Sequence, residues 1–175
     1  MRVFFSFCLC FFVLSGVSYA SSSLPSSRTA SSLPKASKIS IHKRQRLLIL
    51  YDSRGRPMKT YKVALGKNPI GHKRREGDHR TPEGRYYIET RNPDSAYHLS
   101  LKISYPNDQD WNMAQRYGYS PGGLIMIHGL PNGKEWIAPH HRKKDWTEGC
   151  IAVTNEEIRE IWSLVDDGTP IDILP

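Results

Sequence analysis

Beyond Ser40 the apolar residues fall in short runs of strand length, split by clusters of Gly, Pro, Asp and Asn. Residues 46–51 and 60–65 read as two strands around a turn at 52–56. Residues 66–84, rich in Gly and Pro, read as a long loop. Strands at 85–90 and 97–105 follow. In the second, Tyr97, Leu99, Leu101, Ile103 and Tyr105 alternate with polar residues and share one face. Short apolar strands at 123–127 and 151–153 lead up to His128 and away from Cys150. The period then changes. Thr154 and Glu157 have the spacing of a capping box, and Ile158, Ile161, Trp162 and Val165 recur at helical intervals. Asp166-Asp167-Gly168 ends this helix, and residues 169–175 read as a closing strand. The pattern predicts a mainly β domain, sandwich or barrel-like, with one principal helix near the C-terminus.

The first residues carry a different signal. Arg2 precedes an apolar run from Val3 to Val17, and Ser18-Tyr19-Ala20 has the small-x-small form of a cleavage site. Residues 1–20 are therefore expected to be a signal peptide, and the mature chain to have no stable membrane insertion. Residues 21–38, rich in Ser, Pro and Ala, are expected to form a disordered tether, with a single domain over 39–175. The formal charge is +8. Export argues against a nucleic-acid partner, so the excess is read as a solvated basic surface or as attraction to an anionic envelope polymer.

Cleavage after Ala20 removes Cys8 and Cys10 and leaves Cys150 as the one remaining cysteine. A lone thiol in an oxidising compartment has no intrachain partner. Free cysteine often packs as a small apolar residue. Here, however, Cys150 follows Gly149 at a turn into a strand, and His128 ends another strand beside Gly129. A thiol nucleophile with a histidine base is the chemistry this pair suggests. Amides at the Gly149 turn could hold an oxyanion, and Thr147 could brace the turn. No metal-ligand spacing and no cofactor motif is evident: His140 and His141 have no carboxylate or cysteine at a usual distance.

These residues carry a resemblance. Ile127-His128-Gly129, followed by Thr147-Glu148-Gly149-Cys150-Ile151, resembles the signature of the YkuD-type L,D-transpeptidase catalytic domain family. The Gly-Asp-His-Arg-Thr-Pro-Glu-Gly stretch at 77–84, Pro121-Gly122-Gly123 and the segment from Gly168 to Ile173 are similar to further family features. The resemblance spans roughly residues 40–175. It implies a cysteine acyltransferase of the bacterial periplasm or envelope that acts on peptidoglycan stem peptides. Cys150 would be the nucleophile, His128 the base, and the Gly149 and Cys150 amides the oxyanion hole. A thioester would be resolved by an amine on a stem peptide, an envelope protein or a D-amino acid. Water as acceptor would make the enzyme a hydrolase, and an inert site would leave a wall-binding module. Many members carry a histidine where this chain has Glu148, and Arg or Asn where it has Ala152. Substrate contacts are expected from Gly129, Trp146, His141, Arg142 and Lys143. The loop 142–144 is expected to overhang the thiol and meet the donor carboxylate, with Arg80, Arg85 and Arg116 next in line.

Cleavage after Ala20 makes Ser21 the first residue of the mature protein. N-terminal sequencing of the exported protein checks this, and a chain still starting at Met1 contradicts it.

Overall fold

The computed structural model describes residues 34–175. The expected signal peptide and most of the expected tether lie outside the described residues. Strand β1 (Lys38–His42) pairs antiparallel with β2 (Leu47–Tyr51), and β2 with β3 (Pro57–Lys62). On its other side β1 runs parallel to the C-terminal strand β8 (Pro170–Leu174). Strand β4 (Gly84–Ser95) is long enough to serve two neighbours: residues 84–87 pair with β8, and residues 88–95 with β5 (His98–Ile103). Strand β5 pairs antiparallel with β6 (Met126–His128), and β6 parallel with β7 (Ile151–Ala152). The eight-stranded order is β3-β2-β1-β8-β4-β5-β6-β7.

The two ends of that order meet. Ala64, just beyond β3, exchanges two backbone hydrogen bonds with Ala152 of β7, at 3.0 and 2.8 Å. Gly66 bridges Thr147 in the same way, through bonds from Thr147 N to Leu65 O and from Lys67 N to Thr147 O. The sheet therefore curls back on itself, as the barrel-like expectation required, and its seam holds the segment that carries Cys150.

Helix α2 (Asn155–Leu164) plugs the core. Thr154 accepts from the Glu157 amide while the Glu157 carboxylate accepts from the Thr154 amide, so the expected capping box is formed. Ile158, Ile161 and Val165 are fully buried against Ile39, Leu50, Ile88, Leu101 and Ile103 of the sheet. Each such aliphatic side chain contributes about 1.5–3 kcal/mol by leaving water. Among the described residues no helix is long and apolar enough to cross a membrane.

The structure departs from the pattern in several places, among them the strand expected at 123–127, which runs over Met126–His128 instead. Packed chain begins ahead of residue 39: Ala36 is buried and its amide donates to Leu164 O. The strand expected at 60–65 is shifted to 57–62, because Val63, Ala64 and Leu65 leave the ladder to form the seam. A second helix, α1 (Asp108–Arg116), follows β5. It buries only Asp110 and Ala114, so it shows no apolar stripe. Its stability is polar: Asn107 caps it, and Asp110 accepts from the Asn107 amide and from Tyr86 Oη and pairs with His72.

Residues 63–83, between β3 and β4, have no long regular element, yet they form one wall of the seam. A buried lysine holds them. Lys43 is 2% exposed and donates to Gly71 O, Thr81 O and Glu83 at 2.7, 2.9 and 2.8 Å. Removing it strands two carbonyls and a carboxylate. We expect Lys43→Ala to lower unfolding stability by about 2–4 kcal/mol, as read by urea denaturation; a change under about 0.5 kcal/mol, the range of an ordinary surface substitution, would contradict this account of the loop.

Candidate active site

Ile127 and Ile151 face each other across the parallel β6–β7 pair and are both fully buried in the core. Side chains alternate along a strand, so Met126 and His128, with Cys150 and Ala152 beside them, must point to the opposite face. Continuing the register sets Cys150 next to Met126, two residues from His128. Two residues of rise and one strand spacing put the Cys150 and His128 backbones roughly 8 Å apart. Both side chains line one cavity of about 390 Å³, walled by Tyr97, Leu124, Trp146 and Glu148.

His128 is held in one tautomer. Its Nδ1 lies 2.6 Å from Gly129 O, and a carbonyl can only accept, so Nδ1 carries the proton and Nε2 is left as a base. The ring is buried and is packed by Tyr97, with centroids 4.5 Å apart, and by Trp146 at 5.9 Å. Burial lowers its pKa to about 4, against the opposing pull of the Gly129 bond. The imidazole is therefore neutral at neutral pH.

Cys150 is half-buried, and Sγ lies 3.5 Å from Leu124 O. Burial raises the pKa of the thiol, while the Met126 amide and the Lys73 charge work against that rise. The resting pair is a neutral thiol and a neutral imidazole.

The turn before Cys150 is tightly specified. Gly149 has φ +135°, and a Cβ there would fall 2.7 Å from Arg80 O and 3.0 Å from Ile125 Cδ1. Only glycine fits. Thr147 Oγ1 donates to Cys150 O at 2.7 Å and accepts from the Gly149 amide at 3.2 Å. The Gly149 amide is thereby engaged. The Cys150 amide has no protein acceptor among the described residues, so at this turn it is the amide still able to donate.

The other expected residues are divided. Trp146 lines the cavity, and its indole Nε1 is buried without a partner among the described residues. Gly129 does not line it; a Cβ there would meet Asn155 Oδ1 at 2.7 Å and Tyr97 O at 2.9 Å, so its place is one of close backbone packing. His141 is buried and accepts from Arg142 Nε at 2.9 Å. Burial first, then the Arg142 and His128 charges, lower its pKa to about 4. Arg142 is drawn away from the cavity by paired 3.1 Å contacts to Glu157 at the start of α2. Lys143 and Lys144 are exposed, and none of residues 142–144 lines the cavity. The expected overhang of that loop is not what the structure shows, because Glu157 captures the arginine. Ala152 lies wholly inside the seam. Glu148 is exposed and bridges Lys67 and His79. The Lys67 hydrogen bond, helped by the His79 charge, holds its carboxyl below the usual range. Tyr97 is the residue that sequence reasoning missed. Alternation placed it with the buried face of β5, but it lies just before that strand and covers the imidazole instead.

Comparison with known proteins gives a consistent picture. The L,D-transpeptidase catalytic domain family, YkuD, matches residues 36–173. YafK of Escherichia coli K12, whose L,D-transpeptidase name is provisional, is 33% identical over 132 residues, covering 73% of this chain and 46% of that protein. The similarly named YkuD of Bacillus licheniformis is 30% identical over 157 residues, covering 87% of this chain and 73% of that protein. The crystal structure of the helical cell shape determining protein Pgp2 from Campylobacter jejuni superposes with a TM-score of 0.61 at 26% identity, covering 79% of this chain and 47% of that one. The chain thus spans about half the length of YafK and of Pgp2.

Burial of neutral His128 links stability to acid. An unfolded histidine takes up its proton near pH 6.5, but the folded one does so only near pH 4. The contribution is fully present above pH 6.5 and is lost as pH falls towards 4. It is on the order of 3 kcal/mol. We expect the wild type to lose stability across that window and His128→Gln to lose visibly less; equal slopes in denaturant titrations at several pH values would contradict the buried neutral ring.

Proposed function

Because the chain belongs to the L,D-transpeptidase catalytic domain family, we propose that it is an exported cysteine acyltransferase acting on peptidoglycan stem peptides. The observation that carries the reading is the pair Cys150 and His128, on one face of adjacent strands and lining one cavity. His128 Nε2 takes the thiol proton as Sγ attacks the carbonyl that follows the third residue of a tetrapeptide donor. The oxyanion receives the Cys150 amide. Collapse breaks the peptide bond, and the imidazolium returns its proton to the departing D-alanine amine. The remaining thioester passes its acyl group to an acceptor amine, on another stem peptide, an envelope protein or a D-amino acid. Water in that place gives an L,D-carboxypeptidase. The cell-shape role in the name of Pgp2 fits work on the wall, and the N-terminal signal pattern fits the periplasm or cell envelope as the place of action.

The test is incubation of the protein with purified disaccharide tetrapeptide, followed by mass analysis. Crosslinked products mark transfer, and tripeptide alone marks hydrolysis. A carbapenem should leave a covalent adduct on the wild type and none on Cys150→Ala. His128→Ala should slow acylation by about a hundredfold or more. An adduct that persists in Cys150→Ala, or a silent His128→Ala beside a dead His141→Ala, would overturn the assignment.

A further inference from the structure

The thiol cavity does not end at its own walls. Glu148 also lines a second cavity of about 310 Å³, shared with Lys73 and Gly77. Gly77 in turn lines a third, of about 580 Å³. Each successive pair of cavities thus shares a wall residue.

The third cavity has a distinct chemistry. One wall is Arg74, Arg75 and Arg80 from the loop between β3 and β4; the other is Met113, Tyr117 and Tyr119 from the end of α1 and beyond. Several arginines elsewhere, among them Arg46, Arg56 and Arg142, pair with a carboxylate. Arg74, Arg75 and Arg80 pair with none among the described residues. Of the two carboxylates beside them, Glu76 accepts from Ser120 Oγ, and Asp78 is already occupied. Lys73 donates to it at 2.8 Å, and the amides of Arg74, Arg75 and Arg80 donate at 2.7, 3.1 and 3.1 Å. With Asp78 paired to Lys73, the cleft keeps an excess of positive charge over Glu76.

Its aromatic side remains open to solvent. Tyr117 and Tyr119 are 62% and 44% exposed, with rings stacked 6.1 Å apart at an interplanar angle of 15°. The Arg75 guanidinium lies 5.4 Å over the Tyr119 ring. The two walls are fastened together: Glu76 N donates to Ser120 O at 2.8 Å, and Ser120 Oγ to Glu76 Oε2 at 3.2 Å. A Cβ on Gly122 would meet Glu76 Cα at 3.2 Å. The cleft is preformed, so a ligand need not organise it.

Guanidinium groups beside exposed aromatic faces suit a ligand that carries carboxylates and a ring. A cleft separated from the thiol cavity by one intervening cavity, with a wall residue shared at each step, suits a polymer long enough to occupy both. Resting on the function proposed above, we propose that this cleft binds an acidic stem peptide and neighbouring sugar ring of a peptidoglycan strand, at a distance from the bond that Cys150 attacks. The enzyme would thereby hold polymer in preference to small fragments. Single-stranded nucleic acid offers similar chemistry and is a separate outcome of the test.

The experiment uses the full chain with Cys150→Ala, so that binding is read without turnover. Affinity for purified sacculi is measured for this protein and for Arg74→Gln with Arg75→Gln, Arg74→Lys with Arg75→Lys, and Tyr117→Ala with Tyr119→Ala. We expect the Gln and Ala pairs to bind sacculi about tenfold or more weakly. The Lys pair should recover part of the loss, and the Gln pair should show a flatter salt dependence. With Cys150 intact, all three pairs should turn over soluble disaccharide tetrapeptide within about twofold of wild type, well under the tenfold that one lost charge-assisted contact is worth. Unchanged sacculus affinity overturns the proposal. So does an equal loss on the small substrate, which would put these residues at the reacting bond. Loss of oligonucleotide binding with sacculus binding intact overturns it in favour of nucleic acid. A wild type that turns over no tetrapeptide at all tells instead against the function proposed above, whatever the binding results.

Discussion

The site depends on the seam between Ala64 and Ala152 and between Gly66 and Thr147. Strand β7 is only two residues long, and a parallel pair that short has little stability of its own. It persists because it is bonded on both sides, to β6 and to the chain leaving β3. The seam also explains the glycine. Arg80 O and Ile125 crowd the position of Gly149, so the turn into Cys150 is wedged between the long loop and the chain before β6. Lys43 stabilises that loop from behind, through Gly71, Thr81 and Glu83. A contact far from the thiol thus helps to set where the thiol sits.

Much of this was legible in the sequence, and the failures have physical causes. Helix α2 was readable because its cap and its apolar spacing agree. The thiol and imidazole were readable because a lone cysteine after glycine and a histidine at a strand end are rare types in informative places. Helix α1 was not, since it is fastened by Asp110 and its cap rather than by an apolar stripe. Sequence order suggested that Arg142, Lys143 and Lys144 would reach over Cys150. Proximity in the chain says nothing about which carboxylate an arginine will find, and Glu157 was closer in space. The role of the Gly149 amide was likewise hidden, because Thr147 Oγ1 takes it up only in the folded turn.

The charge of the chain also reads differently once folded. A net +8 suggested a diffuse basic surface. In the structure many cations are consumed in ion pairs, including Lys43 with Glu83 and Lys73 with Asp78 in buried surroundings. Glu148, where many family members carry histidine, stays ionised between Lys67 and His79. It cannot shuttle protons as an imidazole would near neutral pH. It places a fixed negative charge at the mouth of the cavity instead.

The protonation of the resting pair bears on how readily the Cys150 thiol reacts. Oxidation and disulfide exchange act on the thiolate, and their rates follow the fraction of that form. Burial raises the Cys150 pKa and lowers that of His128, so moving the proton from sulfur to imidazole is uphill in the resting state. A permanently charged thiolate–imidazolium pair would be more nucleophilic and more readily destroyed. Under the function proposed above, the proton would move when a carbonyl is in place and the Cys150 amide can donate to the oxyanion as it forms. Tyr97 and Trp146 keep water from the imidazole, which both lowers its pKa and strengthens the field it feels. On that proposal, the same burial that makes the free thiol slow to react would tie its activation to the arrival of an acyl donor.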